Sequence, residues 1–234
     1  MQARIVSRLT ALDFFFFFNT VLFVVLVSTR YWQRFLEFKT RANLSEFIVY
    51  ASLVLVGIGI GWHALRRLRI NGVVLLFVEV GILMHFSGGL FHLNDMRLYD
   101  LQLGISFFDY PLRYDKVVHF FNAFVGCLVA LEIFRVLEVR ARRLLVVLAC
   151  LCVISIGSLI EIVEYVVVKT IPHNGVGDYD NNMTDLAANL IGCFTFALLR
   201  HILSRLGSRF RFLGLDDLAN ASNESRSKDR TKSA

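Results

Sequence analysis

Tyr114-Asp115-Lys116-Val117-Val118-His119-Phe120 runs straight into an apolar run at 120–131. An acid, a base and a histidine at the mouth of such a run need partners. Asp115 and His119 are four residues apart, so on a helix they stand about 40° apart on one face, one turn from each other. The rest of the chain supplies candidates to meet that face.

The 234 residues are 56% hydrophobic and 19% charged, more apolar than a soluble domain, and the excess is gathered into long blocks. That pattern predicts an all-α, polytopic membrane protein. At roughly 20 residues per crossing, the length suits about six transmembrane helices in one bundle. The net charge of +6 is spread between apolar blocks, which is a topology signal and excludes a nucleic-acid patch. Cys127, Cys150, Cys152 and Cys193 all fall inside apolar blocks and read as small packing residues, not as a disulfide framework.

The first block, 9–27, carries Phe14 to Phe18 and is long for a signal peptide, so it reads as a retained span. Asp13 and Asn19 inside it call for helix partners. After a polar segment at 30–46, the second block covers 47–65 with Gly57, Gly59, Gly61 and His63. The third covers 70–86 and holds Glu79 in mid-span, which implies an interior-facing carboxylate. Residues 87–113 mix Gly88-Gly89, His92, Asp95, Asp100, Asp109 and Pro111 with apolar residues, a pattern expected of a re-entrant or interfacial segment. Blocks at 117–137, 144–168 and 186–203 follow. The loop at 169–183 is rich in Gly, Asn and Asp. Its Asp178-Tyr-Asp180-Asn-Asn lacks the closing Glu of an EF-hand. The domain reading is therefore a six-span unit over 1–215 and a disordered cytoplasmic tail over 216–234.

Arginines crowd the second-to-third link, the fourth-to-fifth link and the end of the sixth block, with Arg4 and Arg8 before the first. The positive-inside rule puts both termini in the cytoplasm, against the vote of the first loop. Alternating direction then brings His85, Asp115, His119, Glu161, Glu164, Asp185 and Asn189 to one outer membrane face. The pairs 115/119, 161/164 and 185/189 are each three or four apart and share a helix side. A lone Asp–His pair is most often structural, and carboxylates at a span end can snorkel to the interface. The joint pattern instead points to a cleft, because paired carboxylates repel unless a cation, a proton or Lys116 intervenes.

Asp115-Lys116-x-x-His119-Phe120, an acidic pair on the next span, and Asp185-x-x-x-Asn189-x-x-Gly192 together resemble the VanZ-like group of bacterial membrane proteins. His85 with Gly88-Gly89, Glu161-x-x-Glu164-Tyr165, and the Gly177-Asp178-Tyr-Asp180 approach to Asp185 resemble its YjdF-like subgroup over roughly residues 80–195. VanZ itself leads one to expect Glu-x-x-Gln where this chain has Glu161-x-x-Glu164, a departure that puts any carry-over of glycopeptide resistance in doubt. The resemblance implies a multi-pass protein of the bacterial inner membrane with these polar residues clustered, and no established reaction.

One expectation is a metal-assisted hydrolase or transferase acting on a lipid or lipid-linked headgroup. His119, His85 and Asp185 would hold a divalent metal ion, and Glu161, Glu164 and Asp115 would do the acid–base work, with Lys116, Asp180 and Asn189 lining the cleft. The alternatives are a non-enzymatic binding or proton-linked transport protein using the same cleft, or a structural membrane protein with a polar lock between helices. The bilayer is the partner in every case, with no nucleic acid.

Overall fold

The computed structural model describes residues 9–38, 41–66, 68, 70–94, 96–107, 110–139, 144–170 and 178–206. The expected tail, the stretch around Gly177 and the arginines at 140–143 lie outside them. The described helices are α1 (Ala11–Phe38), α2 (Arg41–Leu65), α3 (Gly72–Leu90), α4 (Tyr114–Val136), α5 (Leu145–Thr170) and α6 (Tyr179–Leu206). Five contain stretches long and apolar enough to cross a membrane, and α2 holds a shorter apolar stretch, Val54–Leu65. The protein is an all-α polytopic membrane protein, with one local exception between α3 and α4.

Contacts group the chain into two units, Met1–Leu75 and Leu76–Ala234. In the first, the polar residues noted at the start of the apolar block find local partners. Thr10 and Asp13 cap α1 reciprocally: the Thr10 backbone N–H and hydroxyl donate to the Asp13 carboxylate at 2.8 Å, and the Asp13 N–H donates to the Thr10 hydroxyl at 3.3 Å. Trp62 of α2 donates its indole N–H to the other Asp13 oxygen at 2.9 Å. Asn19 donates to the Phe15 carbonyl one turn back at 3.0 Å. A Cβ on Gly61 would stand 3.3 Å from the ring of Phe16, so this glycine lets α2 approach α1.

The second unit is built around α4, with α5 and α6 packed on it. Its buried face runs Val118, Ala123, Val125, Cys127, Leu128 and Leu131. Small residues set the helix spacing. A Cβ on Gly192 of α6 would run into the Phe120 carbonyl oxygen of α4, with the Ala123 Cβ at 3.1 Å. A Cβ on Gly126 of α4 would stand 3.2 Å from Val153 of α5, and one on Gly157 of α5 would stand 3.0 Å from the Asn189 amide. The opposite face of α5 exposes Leu151, Ile156, Leu159, Ile160 and Val163, a surface suited to lipid tails and not to water.

The mixed segment after α3 folds as two antiparallel hairpins joined by a 3₁₀ turn at Leu98–Asp100. Strand β1 (His92–Leu93) pairs with β2 (Met96–Arg97), and β3 (Gln102–Phe107) with β4 (Tyr110–Arg113). Asn94 takes φ 51° in the first turn, a conformation Asn tolerates better than most residues. In β3 the register shifts between Gln102 and Ser106, and Gly104 sits there at φ 73°, where any Cβ would be strained. The Tyr99 ring lies directly on Gly88, which has no room for a side chain, and within 3.6 Å of a Cβ placed on Gly89. The glycine pair thus seats the 3₁₀ turn on the end of α3.

Candidate functional site

Helix α6 begins at Tyr179, about two turns before the apolar block at 186, and those extra turns belong to the site. Asp178 starts the helix, its carboxylate accepting the Asn181 N–H at 2.9 Å. The polar run after it turns one face inward: Asn181, Asn182, Asp185 and, a turn further on, Asn189 are all buried. Asp180 stands exposed on the outer side of the first turn. On α4, Asp115, Lys116 and His119 occupy the first two turns, where unpaired backbone N–H groups and the helix dipole favour an anion such as Asp115.

Lys116 is the centre of the polar cluster and is only 3% exposed. Its ammonium donates to Asp185 Oδ1 at 2.6 Å, Asn181 Oδ1 at 2.8 Å, Asp115 Oδ2 at 3.0 Å and the Asn181 carbonyl at 3.3 Å. Asn181 in turn donates to Asp185 Oδ2 at 2.8 Å, so both oxygens of that carboxylate are engaged. His119 lies between three carboxylates and bonds closely to none of them. Its Nε2 is 3.5 Å from Asp185 Oδ1 and 3.6 Å from Asp115 Oδ1, and its Nδ1 is 3.7 Å from Glu161 Oε1.

Glu161 reaches this cluster from α5 and is buried at 3% exposure, so it does not snorkel. Asn182 donates to its Oε2 at 3.0 Å and to its backbone carbonyl at 3.2 Å. The other carboxylate oxygen, Oε1, is buried with no hydrogen-bond donor among the described residues and points at the histidine ring. Glu164, one turn on, is half-buried and close enough to His119, Asp115 and Lys116 to interact with their charges.

The expected residues therefore divide. Asp115, Lys116, His119, Glu161 and Asp185 meet directly, Glu164 flanks them, and Asn189 lies below against Gly157. His85 bonds to the 3₁₀ turn: the Tyr99 hydroxyl sits 2.7 Å from both its Nδ1 and its carbonyl oxygen. A hydroxyl has one proton. If that proton goes to the carbonyl, Nδ1–H is the donor to the hydroxyl and Nε2 keeps its lone pair. Asn181 and Asn182 are the site residues that sequence reasoning missed. Their spacing of four and three from Asp185 was the available signal, masked by a composition that reads as loop.

An apolar cavity of about 310 Å³ opens beside the cluster between β3, β4, α4 and α6. Ile105, Pro111, Leu112, Val117, Phe120 and Ile191 line it, and among the described residues Lys116 is its single charged lining residue.

This fold and site define a multi-pass membrane protein with a buried histidine–carboxylate–lysine cluster shared by three helices of one unit. The chain belongs to the family described as "Predicted membrane protein (DUF2238)", whose sequence model matches residues 14–205. No curated protein and no solved structure matches it.

Proposed function

We propose that this protein is a metal-assisted hydrolase or transferase of the bacterial inner membrane, acting on a lipid or lipid-linked headgroup at the outer leaflet. The observation that carries this reading is the spacing of Asp115 Oδ1, His119 Nε2 and Asp185 Oδ1. The two histidine distances are 3.5 and 3.6 Å, and one ligand atom from each of the three residues lies within 4.8 Å of the others. Nitrogen and oxygen ligands at about 2.1 Å from one divalent cation stand roughly 3.4–3.6 Å apart, so the donor set fits such an ion. A bound cation would supply Lewis acidity and a nucleophilic water at neutral pH.

The chain's own groups fill the remaining roles. Glu161 Oε1 has no competing donor and is the group placed to take a proton from an attacking water. Glu164 stands one turn on for the return transfer, and Lys116 offsets negative charge that develops beside the cavity. The cavity supports an amphiphilic substrate, with its apolar part against Phe120 and Ile191. The resemblance to the YjdF-like subgroup of VanZ-like proteins belongs to this reading, since Asp115, Lys116, His119, Glu161 and Asp185 are among the residues that carry it. The test is release of headgroups from phospholipid and polyprenyl-lipid vesicles containing the purified protein. Divalent-dependent release should fall at least about 100-fold in Glu161→Gln, the lower range for loss of a general base. No release from either vesicle, or full activity in Glu161→Gln, refutes the proposal.

A second reading rests on Lys116. Its ammonium already bridges Asp115 and Asp185 without any ion, as a polar lock or a proton-linked binding site would require. The outer-leaflet reading needs the cluster at the outer face and both termini in the cytoplasm. Reporter fusions after residue 206 and near Asp178 should therefore report opposite sides of the membrane, and the same side for both overturns the orientation.

A further inference from the structure

Below the histidine–carboxylate layer, α4, α5 and α6 each bring one cysteine to the same point. Cys127 Sγ is 3.6 Å from Cys193 Sγ and 3.9 Å from Cys150 Sγ, and the three sulfurs all lie within 4.8 Å of one another. All three are free thiols. Cys127 is fully buried and Cys193 is 2% exposed, while Cys150 is half-buried and approaches the Cys193 carbonyl at 3.6 Å. Cys127 follows His119 by eight residues and Cys193 follows Asp185 by eight, so on helices the sulfur layer lies roughly 12 Å deeper than the carboxylates.

Packing alone does not account for this meeting. Where these helices need small residues they use Ala123, Ala149, Gly126 and Gly192, yet three of the chain's four cysteines converge. We propose that Cys127, Cys150 and Cys193 form a binding site for a soft monovalent cation, copper(I), within the membrane-spanning bundle. Three sulfurs at about 2.3 Å from one ion in a plane are roughly 4.0 Å apart, close to the separations found. Thiolate sulfur selects copper(I) over the oxygen-seeking divalent ions. Charge selects in the same direction. Binding breaks one S–H bond, sends that proton to bulk water and forms one S–Cu bond, leaving the site neutral. The other two sulfurs contribute lone pairs, and no oxidation state changes. A divalent ion would need two protons removed from an apolar interior to reach the same neutrality.

The test offers copper(I) as its bicinchoninate complex to the purified full chain in detergent under reducing conditions, and reads loss of the chelate colour. Wild type should withdraw one copper(I) per chain. Cys152→Ser and His119→Ala should do the same, which separates this site from the carboxylate cluster. Cys127→Ser and Cys193→Ser should bind at least about 100-fold more weakly, a loss seen even when outer-shell partners are removed. X-ray absorption of the loaded wild type should show a sulfur-only shell, which keeps the test decisive if a variant fails to fold. No withdrawal by wild type, undiminished withdrawal by the Cys127→Ser Cys193→Ser double variant, or nitrogen and oxygen in the shell overturns the proposal.

Discussion

Replacing Lys116 with methionine is expected to lower the stability of the detergent-solubilised protein by about 3–5 kcal/mol, the range for breaking a buried ion pair from one side. Methionine keeps the length and apolar character of the stem, so the loss isolates the ammonium. That ammonium holds Asp185 at 2.6 Å and Asp115 at 3.0 Å, and Asp185 is 1% exposed. Without it two carboxylates face each other next to Glu161 and His119. The double variant Lys116→Met Asp185→Asn should recover a large part of the loss, because the amide keeps a hydrogen-bonding group for Asn181 and removes the charge. Chemical unfolding curves of the four proteins in the cycle measure this. Equal losses in the single and double variants would show that the lysine acts through packing or its bonds to Asn181. Adding a divalent cation should also narrow the Lys116→Met deficit if the carboxylates take an ion, and leave it unchanged if Lys116 is a fixed lock.

The parts of this fold that could be read in advance are those set by local pattern. Apolar blocks give the helices because nothing but helix satisfies their backbone in lipid, and the i, i+4 spacing of Asp115 with His119 gives a shared face. Lys116 was harder to place. It lies about 100° round from Asp115 on the helix, and only the close approach of α6, permitted by Gly192 against the Phe120 carbonyl, carries Asp185 to it. Asn181 and Asn182 were hidden for a different reason. Asp178, Asp180, Asn181 and Asn182 favour caps and turns, so the stretch reads as loop, yet burial against Glu161 and Lys116 holds it in the helix. The cysteine layer depends on the relative register of three helices, which no single-helix periodicity contains. The hairpins between α3 and α4 depend on Tyr99 folding back onto Gly88, a contact between residues eleven apart in a segment without a clear period.

Divalent cations are expected to raise the melting temperature of wild type, to leave His119→Ala unmoved, and to act on Glu161→Gln as well, which keeps all three ligands. At a cation concentration 100 times the dissociation constant, the stabilisation is about 2.7 kcal/mol. The argument starts from charge. Asp115, Glu161, Glu164 and Asp185 face one lysine and one histidine, and the two most buried, Asp185 and Glu161, are 1% and 3% exposed. An added cation that ligates His119 Nε2 with one oxygen each of Asp115 and Asp185 relieves that excess while leaving Lys116 bonded to Asp115 Oδ2. His119→Ala removes the nitrogen ligand from the centre. Glu161→Gln keeps the bond from Asn182 to one oxygen but removes the charge aimed at the ring. If Lys116 alone completes the cluster, the second change costs on the order of 1 kcal/mol or less and can even stabilise, since it removes one of several like charges. The two readings thus differ in whether an ion moves wild type and whether His119→Ala abolishes that response. Melting curves for the three proteins, with and without magnesium, manganese and zinc, separate them. A wild-type melting point that no cation moves, with Glu161→Gln equal to or above it, rejects the metal and leaves the lysine lock.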